Sequence, residues 1–165
     1  MIMRATRWLL SGAMMVFLGT PALAQQHYWY DGATRRPLWA EPGVVADFSG
    51  PTREKSAVVS PSALVKSDAR RQSPVFRDQA QSGGPARALP GGVLIRFAPG
   101  VTAAERQAAL ARHGLTVLRE NGPGSGSWLI ESPAGEASLA LANRLHESGD
   151  FEAAAPNWWQ PRRLK

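Results

Sequence analysis

Residues 92–105 have the sequence GVLIRFAPGVTAAE and predict a strand that passes directly into a helix. Three apolar side chains share one face of the extended chain: Val93, Ile95 and Phe97. Thr102 and Glu105 have the spacing of a capping box, in which the hydroxyl and the carboxylate each accept a backbone N–H from the other residue. We therefore expect a helix that begins at Ala103 and ends near His113.

Three more strands and a second helix follow on the same criteria, and the fold class is predicted from their order. The strands are expected at 115–120, 128–131 and 151–155, and the helix at 136–148. The order βαββαβ over residues 91–160 predicts an α+β, ferredoxin-like module. Its two helices are expected to cover one face of a four-stranded antiparallel sheet.

Apolar spacing predicts which face each helix buries. On the first helix, residues spaced by about one turn are Ala104, Ala108 and Ala111, with Leu110 beside them. On the second helix they are Ala137, Leu141 and Leu145.

The region before this module divides into two parts. Residues 25–48 begin with an aromatic run and contain the hairpin signal Asp31–Gly32, which predicts a small β meander with its third strand at 44–48. An aromatic ligand platform is the alternative for that run. Ser, Gly and Pro supply 15 of the 42 residues from 49 to 90, which predicts a flexible linker for most of this stretch, because few apolar side chains remain to offset the entropy of ordering. Short strands are the alternative at 58–59, 63–65 and 74–76.

Residues 1–24 have the three parts of a signal peptide. Two arginines precede an apolar stretch that is too short for a membrane span, and Ala-Leu-Ala follows at 22–24. We expect cleavage after Ala24 and export to the periplasm or the medium, with no membrane association afterwards. The chain has no cysteine, so disulfides and cysteine-ligated metals are excluded.

The positive charge does not predict nucleic-acid binding. Of the net charge of +6, two positive charges leave with the signal peptide and most of the remainder falls in residues 25–90. Binding to nucleic acid needs basic side chains clustered on one surface, whereas residues 91–165 are nearly neutral. We expect a monomer.

No catalytic pattern was found. The chain has no Gly-x-Ser-x-Gly elbow, and the glycines of residues 122–126 precede a strand, whereas a phosphate-binding loop precedes a helix. His27, His113 and His146 lack the spacing of metal ligands. We expect no enzyme activity, no catalytic residue, no metal site and no cofactor.

Three segments in register carry a family resemblance. Residues 92–102, 113–117 and 141–158 resemble the opening strand, the helix-to-strand junction and the closing "A-x-P-N-aromatic" signature of subtilisin-like serine protease propeptides. Residues 27–48 and 73–78 are more loosely similar to the additional N-terminal region of some bacterial members. Ala154 departs from the pattern, because many members carry Glu there.

The resemblance implies an inhibitor or folding chaperone of a subtilisin-like serine protease. It implies that the open sheet face packs on two protease helices and that the segment after the last strand enters the active-site cleft. The residues that would bind the protease in this way are Pro156, Asn157, Trp158, Trp159 and Gln160, followed by a basic tail at 161–165. No protease domain follows before Lys165.

Two other functions remain open at this stage. One is that the chain is an inert N-terminal remnant of a truncated protease precursor. The other is that it is a generic interaction module of the envelope or the medium. Trp158 and Trp159 bear on the choice. They either anchor the cleft-entering segment, as aromatic side chains often do at interfaces, or one packs under the sheet and the other is merely exposed.

Overall fold

The computed structural model describes residues 26–50, 57–64, 66, 68–80, 84–122 and 126–161. The predicted signal peptide at 1–24 lies outside the described residues, as do residues 162–165 of the basic tail. Among the described helices, none has the length and apolar character needed to cross a bilayer.

Four antiparallel strands form an N-terminal sheet. They are β1 (Gln26–Asp31), β2 (Thr34–Asp47), β3 (Val58–Pro61) and β4 (Gln72–Arg77). β2 is central: β1 pairs with its first half, and β3 and β4 flank its second half. The predicted turn at Asp31–Gly32 is confirmed, with Gly32 in the left-handed region at a φ of 59°.

The separate third strand predicted at 44–48 is wrong, because this stretch continues β2. The register of β2 against β4 shifts between Ala40 and Val45, where Pro42 and Gly43 interrupt regular pairing. A bulge of this kind bends a strand without ending it. One long strand therefore serves both halves of the sheet.

Strands β3 and β4 lie within residues 49–90, so the prediction of a flexible linker is wrong for these strands. Val75 and Phe76 of β4 are 1% and 0% exposed, and Ala88 and Leu89 are fully buried. These four residues are buried, whereas Val58 and Val59 of β3 are exposed, and β2 supplies the edge on which β4 pairs. Residues 51–56, 65, 67 and 81–83 lie outside the described part.

The C-terminal half forms a second antiparallel sheet with two helices. Its elements are β5 (Val93–Arg96), α1 (Ala103–Arg112), β6 (Val117–Glu120), β7 (Ser127–Ile130), α2 (Glu136–Ser148) and β8 (Ala153–Pro156). The strand order is β6-β7-β5-β8. The predicted α+β class is confirmed in this form: two antiparallel sheets and two helices.

The strand-to-helix transition forms as predicted. Thr102 Oγ1 accepts the Glu105 N–H at 3.3 Å, and the Glu105 carboxylate accepts the Thr102 N–H at 2.7 Å, so both halves of the capping box are present. The helix-side core contains the three predicted strand residues together with residues of both helices: Val93, Ile95, Phe97, Ala109, Leu110, Ala142 and Leu145.

The predicted buried face of α1 is wrong. Ala104, Ala108 and Ala111 are all exposed, whereas Leu110, predicted beside them, is buried together with Ala109. Burying Leu110 removes more apolar area from water than burying an alanine, so the larger side chain determines which face of the helix packs inward.

α2 is buried on two sides, which the spacing of its apolar residues did not predict. Leu145 packs on the C-terminal sheet as expected, while Ala137 is exposed and Leu141 is half-buried. Leu139 packs on the opposite side, in a cluster with Leu38, Phe76 and Leu89 of the N-terminal half. α2 therefore joins the two sheets through two separate apolar contacts.

Candidate functional site

The predicted protease-binding segment leaves the end of β8 and stays on the protein. Pro156 is the last residue of β8 and is buried opposite Val93. The Asn157 side chain donates from Nδ2 to the carbonyl oxygen of Gly91 at 3.0 Å. A Cβ on Gly91 would lie 2.6 Å from the Ser132 oxygen, so glycine is required where the chain passes this close. The end of β8 is consequently held by its pairing with Val93 and by the hydrogen bond to Gly91.

Trp159 pairs with the N-terminal half of the chain through its backbone. Its N–H donates to the Ala88 oxygen at 2.8 Å, and the Ala88 N–H donates to the Trp159 oxygen at 3.0 Å. The indole packs edge-to-face with Phe48, with ring centroids 6.0 Å apart, in the cluster that contains Val75. Because Arg87 pairs in turn with Phe76 of β4, Trp159 extends the N-terminal sheet.

Trp158 enters a different cluster of the N-terminal half. Its ring lies edge-to-face with Trp29 at 5.4 Å and with Phe76 at 6.3 Å. The guanidinium carbon of Arg87 lies 5.8 Å from the Trp158 centroid and 5.2 Å from the Trp29 centroid, within the range of cation–π attraction. Asp78 holds that guanidinium by an ion pair of 2.7 Å.

Both indoles are therefore half-buried in contacts within the chain. Since neighbouring side chains of an extended segment point to opposite faces, Trp158 and Trp159 fill different clusters. Gln160 is the one predicted site residue that is exposed. The sequence located the segment, but its partners lie some 70 to 130 positions earlier in the chain and carry no local signal.

The other candidate surface is the side of the C-terminal sheet opposite the helices, called here the outer face. Its central side chains are Leu94, Leu129, Ala153 and Ala155. Leu94, Ala153 and Ala155 are half-buried, whereas Val93 and Ile95 on the helix side are almost completely buried. Among the described residues, none of the three apolar clusters includes a residue of the outer face.

Charged groups lie at one end of the outer face and at its β6 edge. The Arg96 guanidinium donates to both oxygens of Glu152, at 3.0 and 3.3 Å. Near β6, Leu118 is 55% exposed and contributes to a groove of about 570 Å³ that Leu129 and Arg70 also line. The sequence analysis did not single out Leu118, although its place in an edge strand left it exposed.

Two polar clusters have shifted pKa values. The His113 ring donates from Nε2 to the Asp150 carboxylate at 2.6 Å, and Arg112 donates to it at 2.8 Å. These two contacts lower the pKa of the Asp150 carboxyl. Tyr28 and Tyr30 each donate to one oxygen of Glu147 at 3.0 Å, and this bond raises the pKa of both phenols. Both clusters join elements that are distant in the chain, which is a structural role.

The three histidines have separate neighbours. His27 lies 3.6 Å from a Glu136 oxygen, His113 contacts Asp150, and His146 stacks on Tyr30 with centroids 4.0 Å apart. Over the described ranges, there is no group of three or more side chains that could together hold a metal ion. Residues 123–125 of the glycine-rich connection lie outside those ranges.

Comparison of the chain with protein-family models, with curated proteins and with solved structures found no match.

Proposed function

We propose that this chain is an exported, propeptide-like module that binds a subtilisin-like serine protease and acts as its inhibitor or folding chaperone. The observation that carries the proposal is the outer face, an apolar and partly exposed sheet surface outside every cluster of the described core. The three sequence segments that resemble subtilase propeptides contain β5, β8 and part of α2 of this same half.

Within this proposal, the C-terminal half is a ferredoxin-like module. Two features support it: the element order βαββαβ, and the antiparallel strand order β6-β7-β5-β8. Both helices contribute to one core with Val93 and Ile95, so the outer face is left for a partner.

The chemistry of the outer face suits packing against helices. Ala153 and Ala155 are small, so a partner helix can approach the sheet backbone closely, and the half-buried Leu94 supplies apolar area, whereas Leu129 is only 3% exposed. The Arg96–Glu152 pair provides a polar rim. An apolar centre with a polar rim is the usual anatomy of a protein interface.

Inhibition and assisted folding follow from one binding energy. A partner that binds the native protease, and not its unfolded chain, stabilises the native state in proportion to RT ln(1 + [L]/Kd). The same complex blocks the protease where the bound module obstructs substrate. The side chains of Trp158 and Trp159 are used within the chain, so the first side chain of this segment that is free to enter a cleft is that of Gln160.

The test compares two alanine-to-arginine variants. Ala155→Arg places a charged side chain on the outer face, and Ala108→Arg places it on the exposed side of α1. The mature chain and both variants are titrated against a panel of subtilisins by calorimetry, and the refolding yield of denatured protease is measured with each.

We expect Ala155→Arg to weaken binding at least tenfold and to lose the gain in refolding yield, with Ala108→Arg unchanged. Circular dichroism checks that both variants keep the fold. Absence of binding to every protease of the panel, or equal effects of the two variants, contradicts the proposal.

A further inference from the structure

The segment after β8 is held in an extended form by the N-terminal half of the chain. Two backbone hydrogen bonds tie Trp159 to Ala88, and the two indoles enter separate clusters on opposite sides. Asn157 fixes the start of the segment through its bond to Gly91. All these contacts form within one chain, so no partner is needed to order residues 157–159.

The backbone geometry leaves the far edge of this segment open. In an antiparallel pair, a residue that exchanges both hydrogen bonds with its partner has neighbours whose N–H and C=O groups point to the opposite edge. Trp159 exchanges both bonds with Ala88, so the backbone groups of Trp158 and Gln160 point away from the sheet. Neither residue makes a backbone hydrogen bond to another described strand.

We propose that the N-terminal sheet is a clamp that holds Trp158–Gln160 as a preformed edge strand and presents its outer edge to an extended strand of the partner. This inference rests on the proposed function, in which that strand belongs to the substrate-binding region of the protease. It assigns a role to β1–β4, which lie outside the ferredoxin-like half.

The physical advantage is preorganisation. A segment that pairs with a partner strand loses backbone freedom on binding, and this loss of entropy opposes the association. The clamp orders the segment during folding, so this cost is removed from the binding step. By ordering the segment, Phe48, Trp29 and Ala88 thereby strengthen inhibition of the protease without contacting it.

Exchange of backbone amides tests the clamp without any protease. In the free mature chain, the Trp159 amide should exchange at least a hundredfold more slowly than an unstructured amide, because it donates to Ala88. The amide of Gln160 should exchange at least tenfold faster than that of Trp159. An unprotected Trp159 amide overturns the inference whether or not a protease is bound.

Substitutions at two positions separate the clamp from docking of the outer face. Trp159→Ala loosens the clamp, and Trp159→Phe retains an aromatic ring against Phe48. Gln160→Pro removes the outer-edge donor and leaves the bonds of Trp159 to Ala88 in place. For each variant, inhibition of a subtilisin is measured on a small chromogenic substrate, and Kd is measured separately on the protease with its active-site serine blocked.

We expect Trp159→Ala and Gln160→Pro to raise the inhibition constant at least tenfold on the small substrate. Trp159→Phe should restore inhibition to within threefold of the original chain. Trp159→Ala and Gln160→Pro should still dock through the outer face. The Kd of Ala155→Arg should therefore rise further than the Kd of either of these two variants. If Gln160→Pro inhibits as well as the original chain, the inference that the segment presents its outer edge is overturned. If the original chain binds no protease at all, the proposed function is overturned instead.

Discussion

At the scale of single residues, Asp150 connects the end of α1 with the loop after α2. Hydrogen bonds from His113 and then Arg112 favour its ionised form and lower the pKa of the carboxyl below its ordinary value of 3.8. A pKa lowered by folding means that the carboxylate stabilises the protein above that ordinary value. The stabilisation is lost as the pH falls through the lower pKa of the folded state.

Asp150→Asn should therefore lower the free energy of unfolding at neutral pH, and the deficit should disappear in acid. Urea denaturation from about pH 7 down to about pH 2 measures the difference across this window. Asp31→Asn is the control, because the Asp31 carboxylate contacts Arg36 at 3.4 Å on an exposed turn, where an ion pair contributes little. A deficit for Asp150→Asn that stays constant down to the lowest pH would contradict the assignment.

At the scale of elements, Gly149 ends α2 in the left-handed region at a φ of 73°. A Cβ built there meets nothing within 4 Å, so the cost of a side chain is conformational alone. Gly149→Ala should destabilise the fold by about 1 kcal/mol, the penalty of a left-handed L-residue. Gly50→Ala is the matched control, since Gly50 also has open space but no positive φ. Thermal unfolding of the pair measures the difference, and equal midpoints would refute the argument.

The elements also divide into those with local signals and those without. The strand-to-helix transition at Thr102 and the hairpin at Gly32 were predictable, because a capping box and an Asp-Gly turn act within a few residues. The buried face of α1 was not predictable from spacing alone. The spacing selects the face of three alanines, but burying Leu110 removes more apolar area from water. Burial of Phe76 depends on pairing with β2, some 30 residues earlier, and the sequence of β4 does not indicate which strand it pairs with.

The same reasoning explains the candidate site. The segment after β8 was singled out because residues 141–158 resemble subtilase propeptides, and its role in binding stays a prediction. Its contacts with Trp29, Phe48 and Ala88 depend on how two sheets meet, which periodicity does not encode. The outer face was predictable in outline, because the alternation of β5 assigns Val93 and Ile95 to the helices and leaves Leu94 on the other side.

At the scale of the whole molecule, Trp158 and Trp159 bind the two halves together. A chain that ends at Asn157 loses both indoles, whereas a chain that ends at Pro161 keeps them. We expect the shorter chain to lose about 3 kcal/mol of stability, the lower end of the cost of removing one fully buried tryptophan. The longer one should match the full-length chain. Guanidinium denaturation measures both, and equal stability of the two truncated chains would show that the indoles contribute little.

The contact of β1 with α2 also has a consequence for synthesis. Tyr28 donates to Glu147, which is 119 residues further along the chain. A ribosome that adds roughly 5–20 residues per second takes about 6–24 s to cover this interval. During that time the aromatic β1–β2 hairpin has left the exit tunnel without the helix it packs on. Tyr28 and Tyr30 of the nascent chain therefore stay without their contacts to α2 until translation has passed Glu147.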